Sequence, residues 1–192
     1  MSHEKGNANM RRSLVFAALV ASAALAAPQT PKPPVPPGPP VRPVPTPIVR
    51  LCRDPAAVFL IARGSPLGPN RAVLDFEGQV VNKGNAAFVS PPQQARAQIL
   101  ESRPQGGAPI VLADKPLDNL APGRGLVVTV RRAFTRNQQF PPTFSLLLSY
   151  DPDILHDGNP ENDDCDQSNN RVDLAGAVID HEWPNMVIAR PR

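Results

Sequence analysis

Histidine, cysteine and aromatic residues are all scarce in this chain, and each shortage removes a class of function. Three histidines occur, and only His156 and His181 lie beyond the N-terminal segment. The two cysteines form no C-x-x-C, so a thioredoxin-like redox centre and a cysteine-built zinc site are excluded. His181-Glu182 begins like a zinc-protease helix, but Asn185 stands where the second histidine is needed, and Pro184 breaks a helix there. No glycine-rich phosphate loop is present. Gly64-Ser65-Pro66-Leu67-Gly68 lacks the central serine of a nucleophile elbow. The chain therefore reads as a non-enzyme. The longest apolar run, 13–27, has about 15 residues where a membrane span needs roughly 20.

That run has the marks of an export signal. Lys5, Arg11 and Arg12 give a positive start, and Ala24-Leu25-Ala26 gives the small-x-small pattern of a cleavage site. Residues 1–26 are assigned as signal peptide, leaving no stable membrane span after cleavage; retention as an anchor is the alternative. Arg11-Arg12 leaves the general and twin-arginine routes both open. Cys52 follows Arg50-Leu51 far beyond the apolar run, so a lipoprotein is excluded. The expected location is periplasmic or secreted.

Residues 27–49 form a proline-rich linker. Between Pro28 and Pro47 stand 11 of the chain's 26 prolines. Proline fixes φ and removes the backbone donor, so this stretch reads as a polyproline II spacer or as a docking segment for a proline-reading partner. The pI near 9.2 invites a nucleic-acid reading. It fails once the chain is divided. Of 20 basic and 17 acidic side chains, five basic and one acidic precede Arg50, leaving 15 against 16 in 50–192. A near-neutral domain with few aromatics lacks the footprint of a nucleic-acid binder.

Residues 50–192 carry period-two patterning. Leu126, Val128 and Val130 alternate with Val127, Thr129 and Arg131. Phe144, Leu146, Leu148 and Tyr150 alternate with Ser145, Leu147 and Ser149. Turn chemistry at Asn82-Lys83-Gly84-Asn85, Pro104-Gln105-Gly106-Gly107, Ala121-Pro122-Gly123 and Asp157-Gly158-Asn159-Pro160 separates the runs. The pattern predicts about seven strands, at 56–63, 72–82, 95–102, 109–117, 126–133, 143–150 and, in one or two pieces, 171–188. No stretch shows a convincing helical period, and 93–100 is read as strand. The fold class is all-β: an immunoglobulin-like β-sandwich.

Val80-Val81-Asn82-Lys83-Gly84-Asn85, then Leu120-Ala121-Pro122-Gly123 before a valine-rich strand, then Leu146–Tyr150, an acidic loop and Asn169-Asn170 stand in one order. In that order the chain resembles CARDB-type domains, bacterial immunoglobulin-like modules associated with cell adhesion. The resemblance spans most of 56–172. It implies a binding module contacting an envelope protein or a glycan through sheet faces and end loops. The acidic loop uses aspartates where the family favours glutamates and is longer, and the C-terminal region through Trp183 is extended.

In an oxidising compartment Cys52 and Cys165 are expected to pair, with free thiols or intermolecular bonds as alternatives. No cofactor is required, but calcium is a candidate. Asp151, Asp153, Asp157, Asp163, Asp164 and Asp166, with Glu161 and neighbouring asparagines, offer the oxygen ligands that a hard cation takes. The spacing does not fit an EF-hand, and a solvated acidic loop shaped by Asx turns is the competing reading. His156, flanked by Asp153 and Asp157, is the single candidate for a periplasmic hydrolase. Arg131, Arg132 and Arg136 read as a solvated basic cluster.

Overall fold

A computed structural model describes residues 50–191, together with Pro34, Gly38, Pro47 and Val49. The expected leader and cleavage site, and nearly all of the proline-rich stretch, lie outside the described residues. The chain divides into two units, Met1–Thr46 and Pro47–Arg192, and the second holds every strand and helix among the described residues.

Ten strands and one short α-helix make up the described part of this second unit. In chain order they are β1 (Pro55–Gly68), β2 (Arg71–Asn82), β3 (Phe88–Val89), β4 (Ala95–Ser102), β5 (Ile110–Pro116), β6 (Asn119–Leu120), β7 (Gly125–Thr135), β8 (Thr143–Tyr150), β9 (Arg171–Ala175), α1 (Gly176–Glu182) and β10 (Val187–Ala189). Two four-stranded antiparallel sheets run β10-β1-β2-β7 and β5-β4-β8-β9, and β3 pairs with β6 in a small third ladder. Consecutive hairpins, with the chain crossing between the two larger sheets after β2, β5, β7 and β9, give an immunoglobulin-like sandwich. The sequence places β4 and β8 at the observed limits, and β1, β2, β5 and β7 differ from expectation only at their ends.

Period-two alternation builds the core directly. Along β2, Ala72, Leu74, Phe76, Gly78 and Val80 are buried while the residues between them are less so. Phe76 meets Phe144 of β8, on the other sheet, with ring centroids 4.5 Å apart, and Leu146 lies over Gly78 where a Cβ would crowd it. Such aromatic pairs add roughly 0.5–1.5 kcal/mol beyond their buried area. At one lateral edge Lys115 of β5 donates Nζ to the Val127 carbonyl of β7 at 2.7 Å. This places a lysine on the open edge, where added strands would otherwise pair.

The region 171–188 departs from expectation. Between β9 and β10 stands α1, where the sequence pattern predicts strand. Seven residues are too few to display a helical period, and Ala175 gives no side-chain cap. Tertiary packing decides the outcome: Ile179 is buried, and Gly176 lies so close to the Pro142 carbonyl that a Cβ would not fit without movement. The helix stops before Trp183-Pro184, as proline requires. Trp183 then lies across Gly64 of β1, where any side chain would occupy the indole's place, and Arg136 stacks on the ring at 4.7 Å.

Candidate functional sites at the two ends of the sandwich

The end where β2 finishes and β9 begins is built from polar side chains. Asn82, wholly buried, ends the inward-facing series of β2. Its Oδ1 accepts from the Asp54 and Gly84 backbone N–H groups at 3.1 and 2.9 Å, and its Nδ2 donates to the Ala86 and Leu120 carbonyls at 2.8 and 2.7 Å. One amide thereby closes the 82–87 turn and ties it to β6. Gly84 presses on the Cys52 carbonyl, where a Cβ has no room. Cys52 is joined to Cys165 in a disulfide with the Cα atoms 5.6 Å apart, and the Cys165 N–H donates to the Arg53 carbonyl at 2.8 Å. The segment before β1 is thus fastened to the loop before β9.

Asp164 lies at the centre of this end. It accepts from the Tyr150 hydroxyl at 3.0 Å, from Asn170 Nδ2 at 2.7 Å and from the Asp166 N–H at 3.0 Å. Burial raises its carboxyl pKa, against those hydrogen bonds. Burial first, and then the Asp164 charge, push the Tyr150 phenol far above its ordinary value. Tyr150 is therefore a fixed donor.

The six candidate aspartates are not gathered into one cage. Asp151 and Asp153 adjoin at the exposed tip, and their shared hydrogen bond and mutual repulsion raise the pKa of Asp153. Asp157 accepts from the Asn159 N–H at 2.7 Å and from Asn162 Nδ2 at 2.8 Å, which lower its pKa in that order of Asn162 before Asn159. Asp166 binds Ser168 Oγ at 2.6 Å and its N–H at 3.1 Å, capping the 3-10 turn Gln167–Asn169; its pKa is lowered, first by the Ser168 hydroxyl. Asp163 lines a separate groove beside the disulfide with Arg50, Arg53 and Leu155. Among the described residues no three His, Cys, Asp or Glu side chains form a metal-holding group. Three amide oxygens, of Asn162, Asn169 and Asn170, are buried without a donor among the described residues. His156 is exposed, with its N–H donating to the Asp153 carbonyl at 2.7 Å. His181 is exposed on α1, its Nδ1 3.0 Å from Glu182 Oε1.

The opposite end holds a feature absent from the expectations drawn from the sequence. Glu101 closes the inward series of β4, and its side chain is 8% exposed. Arg132, in phase with the inward residues of β7 on the other sheet, donates Nε to Glu101 Oε2 at 2.8 Å. Arg103 flanks the same carboxylate at 3.9 Å. Together with Gln105, Gln138 and Phe140 these side chains surround a cavity of about 310 Å³ between the two sheets, floored by Phe134 and Phe144. Phe134 and Phe144 are buried, whereas Phe140 is 52% exposed on the cavity wall. The three arginines expected to form one patch are in fact separated: Arg131 faces Asp75, Arg132 faces Glu101, and Arg136 faces Asp180.

A signal for this cavity was present. Glu101 keeps step with Ala95, Ala97 and Ile99, and Arg132 keeps step with Val128 and Val130, so both point inward by parity alone. A charged residue in an inward series is costly unless a partner meets it. No protein-family model, curated protein or solved structure matches this chain.

Proposed function

We propose that this domain is a non-enzymatic binding module of an exported protein, and that it contacts its partner through the open end between Glu101 and Phe140. The observation carrying this reading is the cavity itself: a pre-formed concavity with two arginines, a fixed carboxylate and a half-exposed aromatic. The disulfide is compatible with an oxidising compartment, and no helix among the described residues is long and apolar enough to cross a membrane. The resemblance to CARDB-type adhesion modules points the same way, toward an envelope protein or glycan. Among the described residues His156 makes no side-chain hydrogen bond, and His181 meets only its chain neighbour Glu182.

Crosslinking capture from native envelope tests the reading, with the intact chain compared with Arg103→Ala and Phe140→Ala variants. A partner recovered by the wild type and lost with both variants supports it. Recovery unchanged by either variant overturns it.

A calcium-binding role for the acidic loop has one supporting observation, the donor-free amide oxygens of Asn162, Asn169 and Asn170 beside Asp157, Asp164 and Asp166. Hard cations bind amide oxygens as well as carboxylates. A melting temperature raised by millimolar Ca²⁺ and not by Mg²⁺ supports it; an unchanged melt removes it.

A further inference from the structure

We infer that the cavity at the Glu101 end binds a carboxylate-bearing sugar, a uronate-type unit of an envelope or extracellular glycan. This rests on the binding-module reading above and supplies the ligand class for the same site.

The charge arrangement selects an anion. Glu101 offsets one of the two arginines that flank it, so the trio Glu101, Arg103 and Arg132 carries one net positive charge. Arg132 spends its Nε on Glu101, and the terminal nitrogens of its fork have no acceptor among the described residues. Its planar donor pair suits a carboxylate in bidentate geometry. Glu101 also holds that fork in one orientation before any ligand arrives, which lowers the ordering cost of binding. Because Glu101 is nearly buried and reached from both sides by arginine, it serves as the fixed point of the site.

The remaining wall selects a sugar among anions. Phe140 turns a ring toward solvent in a chain that otherwise buries its large aromatics at this end. A flat, electron-rich ring face receives the positively polarised C–H face of a pyranose. Gln105 and Gln138 flank it, and amide side chains both donate and accept, as vicinal hydroxyls require. Gln138 commits its Nε2 to the Thr135 carbonyl and so keeps its own carbonyl for a hydroxyl donor. At about 310 Å³ the cavity lies at the small end of the usual ligand-site range of roughly 300–1,000 Å³, suited to a terminal residue more than to an extended peptide.

Nuclear magnetic resonance titration of the intact, isotopically labelled chain tests the inference. The probes are a glucuronate-terminated disaccharide and the neutral disaccharide of the same linkage. The acidic sugar is expected to shift amides at Glu101, Arg103, Arg132 and Phe140 and to bind about tenfold or more tightly than the neutral one. Arg103→Ala and Phe140→Ala, both at exposed side chains, are expected to weaken binding about tenfold each while leaving the remaining spectrum in place. Equal affinity for both sugars, or affinity unchanged in both variants, overturns the inference. If the acidic sugar is silent and a peptide with a free C-terminal carboxylate shifts the same amides, the sugar assignment falls and the binding-module reading stands. If neither probe shifts them and envelope capture ignores the two variants, both fall.

Discussion

Glu101 and Arg132 reach toward each other from opposite sheets and meet at 2.8 Å, an ion pair that spans the sandwich where its hydrophobic filling ends. Glu101 stands directly opposite Phe144 in the β4–β8 ladder, and Arg132 opposite Leu74 in the β2–β7 ladder. Glu101 is thus the last inward position of β4, and Arg132 the last but one of β7, followed by the buried Phe134.

Removing one partner leaves the other charge stranded. Arg132→Leu is expected to cost about 2–3 kcal/mol, less than a fully buried pair because the Arg132 side chain is 37% exposed. The double variant Glu101→Leu with Arg132→Leu is expected to recover most of that loss, since apolar replacement of both removes the desolvation penalty. Urea midpoints of the four proteins close the cycle. A double variant as unstable as the sum of the singles contradicts the pairing.

Tyr150 is the only tyrosine, so its titration is read without interference. Its phenol pKa is raised, above all by burial and then by Asp164, so the folded state keeps the proton where the unfolded chain releases it. The sign is set by that difference. Stability is unaffected below the unfolded value near 10 and falls by about 1.4 kcal/mol per pH unit above it. Phenolate absorbance in an alkaline titration is expected to appear only together with unfolding. A smooth phenolate curve centred near pH 10 with the fold intact contradicts this burial.

Asn82→Ala removes four hydrogen bonds and leaves two backbone N–H groups and two carbonyls at the closed end without that partner. The expected cost is about 3–5 kcal/mol, the size reached when buried polar groups lose their satisfaction. Asn82→Asp is expected to be nearly as damaging, because a carboxylate has no donor for the Ala86 and Leu120 carbonyls. Denaturant unfolding measures both.

Cys52 and Cys165 stand 113 positions apart in the sequence. Replacing both with serine is expected to cost about 3–5 kcal/mol, in keeping with the entropy of so long a loop. Alkylation of the unfolded, unreduced protein is expected to label neither cysteine. Two labelled thiols contradict the bond.

Most of the fold was legible because the sheets alternate. The inward series of β2, β4, β7 and β8 are written in the sequence as every second residue, and each has a polar residue at or near one end: Asn82, Glu101, Arg132 and Tyr150. Those polar ends were in plain sight as violations of the pattern, yet no local rule says which partner meets them. Glu101 and Arg132 are 31 positions apart, and only the sheet-to-sheet packing brings them together. The helix α1 was illegible for a different reason, since seven residues held by the burial of Ile179 and by Pro142 leave no periodic trace. The acidic loop was legible as composition alone. Its Asx turns and the Asn162 and Asn170 contacts distribute the carboxylates among separate tasks, which spacing alone did not reveal.

The disulfide also settles how the domain carries mechanical load. Cys52 precedes β1 in one sheet, and Cys165 lies in the loop that leads to β9 in the other. Tension arriving along the chain ahead of Arg50 therefore divides at a covalent junction between the two sheets before it reaches the first hydrogen bond of β1. Strand β1 lies between β10 and β2, so peeling it away would require two ladders to open. Under reducing conditions the same pull would fall first on the Arg53–Cys165 and Asp54–Asn82 hydrogen bonds and then on β1, and the domain would yield at a lower force.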